Sequence, residues 1–235
     1  MNLLLLDCAV TKFSIAVRTE EKFVCHTYDV GMKQSEILVP AIDDVLSEAG
    51  IKVGDLNYSA LTIGPGSFTG LRLGISALKA IELSYNVPVY GVSSLKTYAC
   101  AYENKGMPVL TCIDANKDKF YARLTDGEKV LLEDGDYEVT NIAEKLQGLP
   151  EVLIAGPDAK KLADNLLEIF KKDVKKNPSD TKIFLPTDPD EPTISLCKLA
   201  LEMIEQGQPA LQDYDGPVYL RASEAELALK NKSEK

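Results

Sequence analysis

The run Gly64-Pro65-Gly66-Ser67-Phe68-Thr69-Gly70-Leu71-Arg72-Leu73-Gly74 narrows the folds open to this chain more than any other stretch, because it follows an apolar run, Tyr58 to Ile63, and opens a helical pattern. A strand, a tight turn and a helix start therefore follow one another, as in an α/β fold. Ser67 or Thr69 can act as N-cap. The glycines remove side chains where a ligand or another backbone must come close. One reading is that bare N–H groups at the helix start cradle a phosphate. The other is packing or docking: Gly70, Gly74, Ala77 and Ile81 share a helical face beside the apolar row Leu71, Ile75 and Leu78, and small residues let a neighbouring helix approach to the short end of the ~8–10 Å interaxial range. The run has neither the Lys-Ser/Thr ending of a P-loop nor the Gly-x-Gly-x-x-Gly spacing of a dinucleotide site, which favours the second reading.

Around this run, strand and helix signals alternate. Leu3–Leu6, Phe13–Arg18 and Lys22–Tyr28 read as three strands, followed by a helix with Leu38, Ala41, Ile42, Val45, Leu46 and Ala49 on one face and Gly50 as its C′ residue. Pro40 either starts that helix or kinks it. Strand Tyr58–Ile63, the glycine-rich helix to about Tyr85, strand Val87–Val92 and a helix from Leu95 capped by Ser94 complete a ribonuclease-H-like layout. After Asn104-Lys105-Gly106 the pattern restarts with strands at Val109–Ile113 and Lys119–Leu124 and a hairpin at Asp126-Gly127 leading to Lys129–Leu132. A short helix near Ile142–Leu146, strand Val152–Ala155 and a helix from Asp158 or Ala159 to about Lys172 come next. Thr193 is placed as the cap of a helix with Leu196, Leu199, Ala200 and Met203 as its buried stripe, and Ser223 with Glu226 as a capping box for a last helix. The expected units are residues 1–105 and 106–235.

Composition removes several functions. His26 is the only histidine, which excludes His-based metal sites and Ser-His-Asp or Cys-His triads and leaves no metal centre beyond a carboxylate Mg²⁺ site. Cys8, Cys25, Cys100, Cys112 and Cys197 are scattered and odd in number, the pattern of buried thiols. The net charge of −10 opposes unaided tRNA binding, since nucleic-acid affinity rests mainly on Lys and Arg neutralising phosphates. The basic run Lys171-Lys172-Asp173-Val174-Lys175-Lys176 is interrupted and reads as a solvated face. No apolar run approaches the ~18 residues of a membrane span, so a cytoplasmic protein is expected.

The glycine-rich run, together with the start Leu3-Leu4-Leu5-Leu6-Asp7-Cys8-Ala9, resembles the TsaB (YeaZ) family. Ser35-Glu36-Ile37-Leu38-Val39-Pro40-Ala41-Ile42 resembles its first helix, Cys112-Ile113-Asp114-Ala115 its central strand and Pro217-Val218-Tyr219-Leu220-Arg221 its C-terminal signature. The resemblance is dense over residues 1–125 and thin from 126 to 216. It implies an α/β fold of two ribonuclease-H-like subdomains of the actin, sugar-kinase and Hsp70-like ATPase class, the second reduced. It also implies a non-catalytic subunit pairing with TsaD, which transfers a threonylcarbamoyl group to N6 of adenosine 37 in tRNAs reading ANN codons, with the ATPase TsaE joining the complex. Contact with tRNA would then come only through that complex. Alternatives are an enzyme in its own right, an ATPase or glycoprotease, and a homodimeric scaffold.

In active members of that class an Asp at the end of the first strand precedes a glycine-containing, phosphate-wrapping turn. Here Asp7 is followed by Cys8-Ala9-Val10-Thr11-Lys12 without a glycine, so a phosphate would meet side chains. Asp7 and Asp114 are the candidate nucleotide-binding carboxylates, though acidic strand ends also arise as loop caps; no tightly bound cofactor is expected, and a nucleotide at a subunit interface remains open. TsaD carries two metal-binding histidines on its first helix, whereas this chain has Met32-Lys33-Gln34-Ser35-Glu36 there, and a Gln is a poor transition-metal ligand. The expected partner interface lies on Gln34–Ala49 and Thr69–Tyr85, with Ile37, Leu38, Ala41, Ile42, Phe68, Gly70, Leu71, Arg72, Gly74, Ile75 and Leu78 as its residues. The aliphatic members of that set read equally well as core.

Overall fold

Strand β1 (Leu3–Asp7) is buried along its whole length, and its alternating side chains feed two different cores. Leu4 and Leu6 point to one face of the sheet and Leu3 and Leu5 to the other, as the two-residue period of a strand requires. Both faces must then be covered, which is why four consecutive leucines suit a central strand. In the computed structural model, residues 1–172, 181–187 and 191–221 are described; the expected capping box at Ser223 and Glu226 lies outside them.

β1 pairs antiparallel with β2 (Lys12–Arg18), which pairs antiparallel with β3 (Phe23–Asp29). On its other side β1 runs parallel to β4 (Tyr58–Thr62), and β4 to β5 (Val89–Val92). Helices α1 (Gln34–Ala49) and α2 (Phe68–Tyr85) cover one face, where Leu38, Val45 and Leu78 meet Leu4, Phe13 and Ile15. α1 carries Pro40 in its interior and ends on Gly50 in the left-handed conformation, as the C′ position favours. α2 starts from Ser67, whose Oγ accepts the Gly70 N–H at 3.2 Å, so Ser67 and not Thr69 is the cap.

The second sheet repeats this plan. β6 (Val109–Asp114), β7 (Lys119–Asp126) and β8 (Lys129–Glu138) are antiparallel neighbours, and β9 (Glu151–Ala155) and β10 (Lys182–Phe184) add in parallel on the far side of β6. The two orders, β3-β2-β1-β4-β5 and β8-β7-β6-β9-β10, are equivalent. The outer strand β10 is three residues long, against four in its counterpart β5. α4 (Val139–Lys145) and α5 (Ala159–Lys172) pack on this sheet through Ile142, Leu162 and Leu166.

The third helix of each unit changes sides. α3 (Ser94–Cys100) comes from the first half of the chain yet packs on β6 and β7, with Leu95 and Tyr98 against Ile113 and Tyr121. α6 (Pro192–Glu205) comes from the second half and covers the open face of the first sheet, where Leu196, Leu199 and Ala200 meet Leu3, Leu5 and Ala60. Residue 105/106 thus lies between the strands of the two sheets in the chain, while α3 and α6 each pack on the sheet of the other half. Two expected caps also move by a residue or two. Ser93, not Ser94, caps α3 by accepting the Lys96 N–H, and α6 starts at Pro192 after Glu191 with Thr193 inside it.

Candidate functional site

The turn from β1 to β2, where the ATPase class wraps a phosphate, is held shut by protein groups. Asp7 at the end of β1 is 1% exposed. Its Oδ1 accepts from Thr62 Oγ1 on β4 at 2.6 Å and from the Ala9 N–H at 3.1 Å, and its Oδ2 accepts from Tyr98 Oη on α3 at 2.8 Å. Burial raises the carboxyl pKa above the ordinary value, against the lowering effect of the bonds from Thr62, Tyr98 and Ala9. The same burial drives the Cys8 thiol far above its usual range and makes it inert as a nucleophile.

The glycine-rich loop closes over this turn. Ser67 donates its N–H to the Ala9 carbonyl at 2.6 Å. A Cβ on Gly66 would lie 2.3 Å from the Ala9 oxygen, and one on Gly70 2.3 Å from the Cys8 oxygen. Gln34 at the start of α1 supports the other side, its Nε2 donating to the carbonyls of Val10 at 2.7 Å and Thr11 at 2.9 Å. The glycines are thus explained by backbone-to-backbone packing inside the subunit, and a loop amide that could have faced a phosphate is used by the protein.

A cleft of about 690 Å³ separates the lobes, lined in part by Thr11, Ser67, Asp114, Asn116, Tyr121 and Arg221. Asp7 does not line it, so the two candidate carboxylates do not converge on one ligand site. Asp114 does line it, but its Oδ1 accepts the Asn116 N–H at 2.9 Å and its Oδ2 pairs with Lys161 at 2.5 Å, while its own N–H donates to Asp158. The turn after it holds Asn116, Lys117 and Asp118 in succession in the left-handed region, a strained arrangement for residues other than glycine. Among the described residues no group of three or more His, Cys, Asp or Glu could hold a metal ion.

Most of the expected interface residues are core. Leu38, Ala41, Ile42, Leu71, Ile75 and Leu78 are buried, and Gly70 and Gly74 face Cys8, with Leu61 also beside Gly74. These eight are covered within the subunit, because the stripe that marks them also seats each helix on the sheet. Ile37 is half-buried, and Phe68 and Arg72 are exposed. The Arg72 guanidinium lies 3.8 Å from the Phe68 ring centre and donates from Nε to Tyr219 Oη at 2.8 Å. The residues that do face outward on the two helices are absent from the expected set: Val39, 61% exposed on α1, and Leu83, 88% exposed on α2, with Ala80 also exposed. Their signal was available as apolar residues off the core stripe.

Two α/β lobes with matching strand orders and exchanged third helices define a protein of the actin, sugar-kinase and Hsp70-like ATPase class. A Listeria monocytogenes protein named provisionally as an N-acetylmannosamine kinase shares the fold, with TM-score 0.50 at 10% identity over 88% of this chain and 100% of that one. A Pseudomonas aeruginosa protein described as similar to peptidase YEAZ superposes with TM-score 0.73 at 23% identity, covering 94% of this chain and 99% of that one. The family model described as "TsaD: tRNA N6-adenosine threonylcarbamoyltransferase" matches residues 30–187, more than half of the chain. The Escherichia coli "tRNA threonylcarbamoyladenosine biosynthesis protein TsaB" is 26% identical over 94% of this chain and 95% of its own length. The chain belongs to this family, on its TsaB, or YeaZ, side.

Proposed function

We propose that the chain is the non-catalytic partner of the threonylcarbamoyltransferase TsaD in tRNA threonylcarbamoyladenosine biosynthesis, a process named in the descriptions of its relatives. The observation that carries this reading is the state of Asp7, whose two oxygens take three hydrogen bonds from Thr62, Tyr98 and Ala9 away from the cleft. A carboxylate so engaged is a structural centre for β1, β4 and α3, and at 1% exposure it is shut off from a hydrated Mg²⁺ in the cleft. The turn behind it is braced by Gln34, and the Ser67 amide at the start of α2 is spent on the Ala9 carbonyl, not on a phosphate.

TsaD would dock on the outward faces of α1 and α2, where Val39, Phe68 and Leu83 offer apolar surface and Ser76 and Ala80 allow close helix approach. Contact with tRNA and with TsaE belongs to the assembled complex in the cytoplasm, since a net charge of −10 disfavours phosphate binding by the subunit alone. No helix among the described residues is long and apolar enough to cross a membrane. No nucleotide is held tightly by the free chain.

The test is to assay ATP hydrolysis and tRNA modification by the purified chain, by TsaD and by both together. The account expects turnover only with TsaD present. Hydrolysis by the chain alone that disappears in Asp7→Ala would contradict it.

A further inference from the structure

After α6 the chain runs back along the edge of the first lobe. Leu211 donates its N–H to the Val89 carbonyl on β5 at 2.7 Å, and Val218 donates its N–H to the Ile63 carbonyl at 2.7 Å. The Tyr219 ring stacks on Phe68 with centres 5.0 Å apart. Two residues further on, the chain reaches the second lobe. Arg221 donates from Nε and Nη2 to both carboxylate oxygens of Asp136 on β8, at 2.8 and 2.9 Å, and from Nη1 to the Ala115 carbonyl at 2.8 Å.

We propose that residues 217–221 form a clasp that holds the inter-lobe cleft at its present opening, with Val218 and Tyr219 fixed to the first lobe and Arg221 to the second. Three observations support it. The Arg221–Asp136 pair is bidentate, a geometry that Lys cannot reproduce. Its side chains are only 26% and 16% exposed, so water screens it less than an ordinary surface pair. Gly64 leaves room for the clasp: its φ is +118°, and a Cβ there would lie 2.4 Å from the Val218 oxygen. Phe68, Tyr219, Ala115 and Arg221 all line the cleft, so the clasp closes its rim. Deeper in the junction, Leu95 and Tyr98 make apolar contact with Ile113 and Tyr121, Tyr98 Oη donates to Asp7 at 2.8 Å and Ser93 Oγ to Asp134 at 2.7 Å, and the clasp adds a tie at the rim of the cleft.

The clasp is tested on the full chain by amide hydrogen exchange and small-angle X-ray scattering, comparing wild type, Arg221→Ala and the exchanged pair Arg221→Asp with Asp136→Arg. In Arg221→Ala the Val218 and Ala115 amides should exchange roughly tenfold faster or more, as loss of a charge-assisted pair implies, and the radius of gyration should rise. The exchanged pair should restore both. Unchanged exchange and scattering in Arg221→Ala would overturn the proposal. So would equal acceleration in the core strands β1 and β6, which would mark a general loss of stability. Failure of the exchanged pair to restore slow exchange would also overturn it, by tracing the effect to packing around residue 221.

Discussion

Ser67 donates its backbone N–H to the carbonyl oxygen of Ala9 at 2.6 Å, which ties the start of α2 to the turn between β1 and β2. A helix start whose amides could have faced a phosphate serves the subunit's own backbone here. The glycines around Ser67 are a consequence, since Gly66 and Gly70 leave no space for a methyl group beside Ala9 and Cys8.

Gly74→Leu is therefore expected to destabilise the isolated subunit. Even a Cβ would already be in contact with Cys8 Sγ and Leu61 Cδ1, both at 3.4 Å, and three further carbons must enter a filled core at a cost of about 1–3 kcal/mol. Gly74→Ala needs only that Cβ and should be close to neutral, helped by up to about 1 kcal/mol of helix propensity. Urea unfolding of both variants checks the contrast. Equal stability of Gly74→Leu and wild type would place the glycine face outside the core.

Asp7 gives a pH prediction. Burial raises its folded pKa above the ordinary value it has when unfolded, so its contribution to stability is fully present below the ordinary carboxylate range and is lost as pH rises through the folded pKa. Asp7→Asn fixes the neutral form and can still accept from Thr62 and Ala9 while donating to Tyr98. Its stability relative to wild type should improve as pH rises from about 4. Asp7→Ala leaves the buried Thr62 and Tyr98 hydroxyls without this acceptor and should cost about 1–3 kcal/mol near pH 4, a cost that shrinks as pH rises for the same reason. Unfolding curves across pH 4 to 7 decide the sign.

Gln34 is predicted to matter for structure alone. Gln34→Ala leaves the carbonyls of Val10 and Thr11 without their side-chain donor, a loss of about 1–3 kcal/mol, and should speed amide exchange in the turn from Cys8 to Thr11. Exchange there at the wild-type rate would show that the Ser67 contact holds the turn unaided.

The strand and helix order was legible because each element carries its own period, such as Leu38, Ala41, Ile42 and Val45 on α1 or the apolar run of β4. The exchange of α3 and α6 between lobes was not. The stripe Leu196, Leu199 and Ala200 says that a face is buried, but not on which sheet. The same limit applies to the expected interface set, because Leu38 or Leu78 in a sequence looks alike whether it meets its own sheet, as both do here, or a partner. β10, three residues long, gave too short a pattern to detect, and β8 extends to Glu138 through Asp134-Gly135-Asp136, residues that individually disfavour strands. Asp7 and Asp114 were read correctly as strand-end carboxylates. That Tyr98 and Lys161 occupy them depends on contacts that no local pattern records.

The most direct test of the account is calorimetric titration of TsaD into wild type, Val39→Asp, Ala80→Arg and Gly74→Ala, each first shown to unfold like the parent. The account predicts that the two outward substitutions weaken binding tenfold or more, a loss of about 1.4 kcal/mol or above, and that Gly74→Ala leaves it unchanged. Full affinity in both Val39→Asp and Ala80→Arg would contradict docking through α1 and α2.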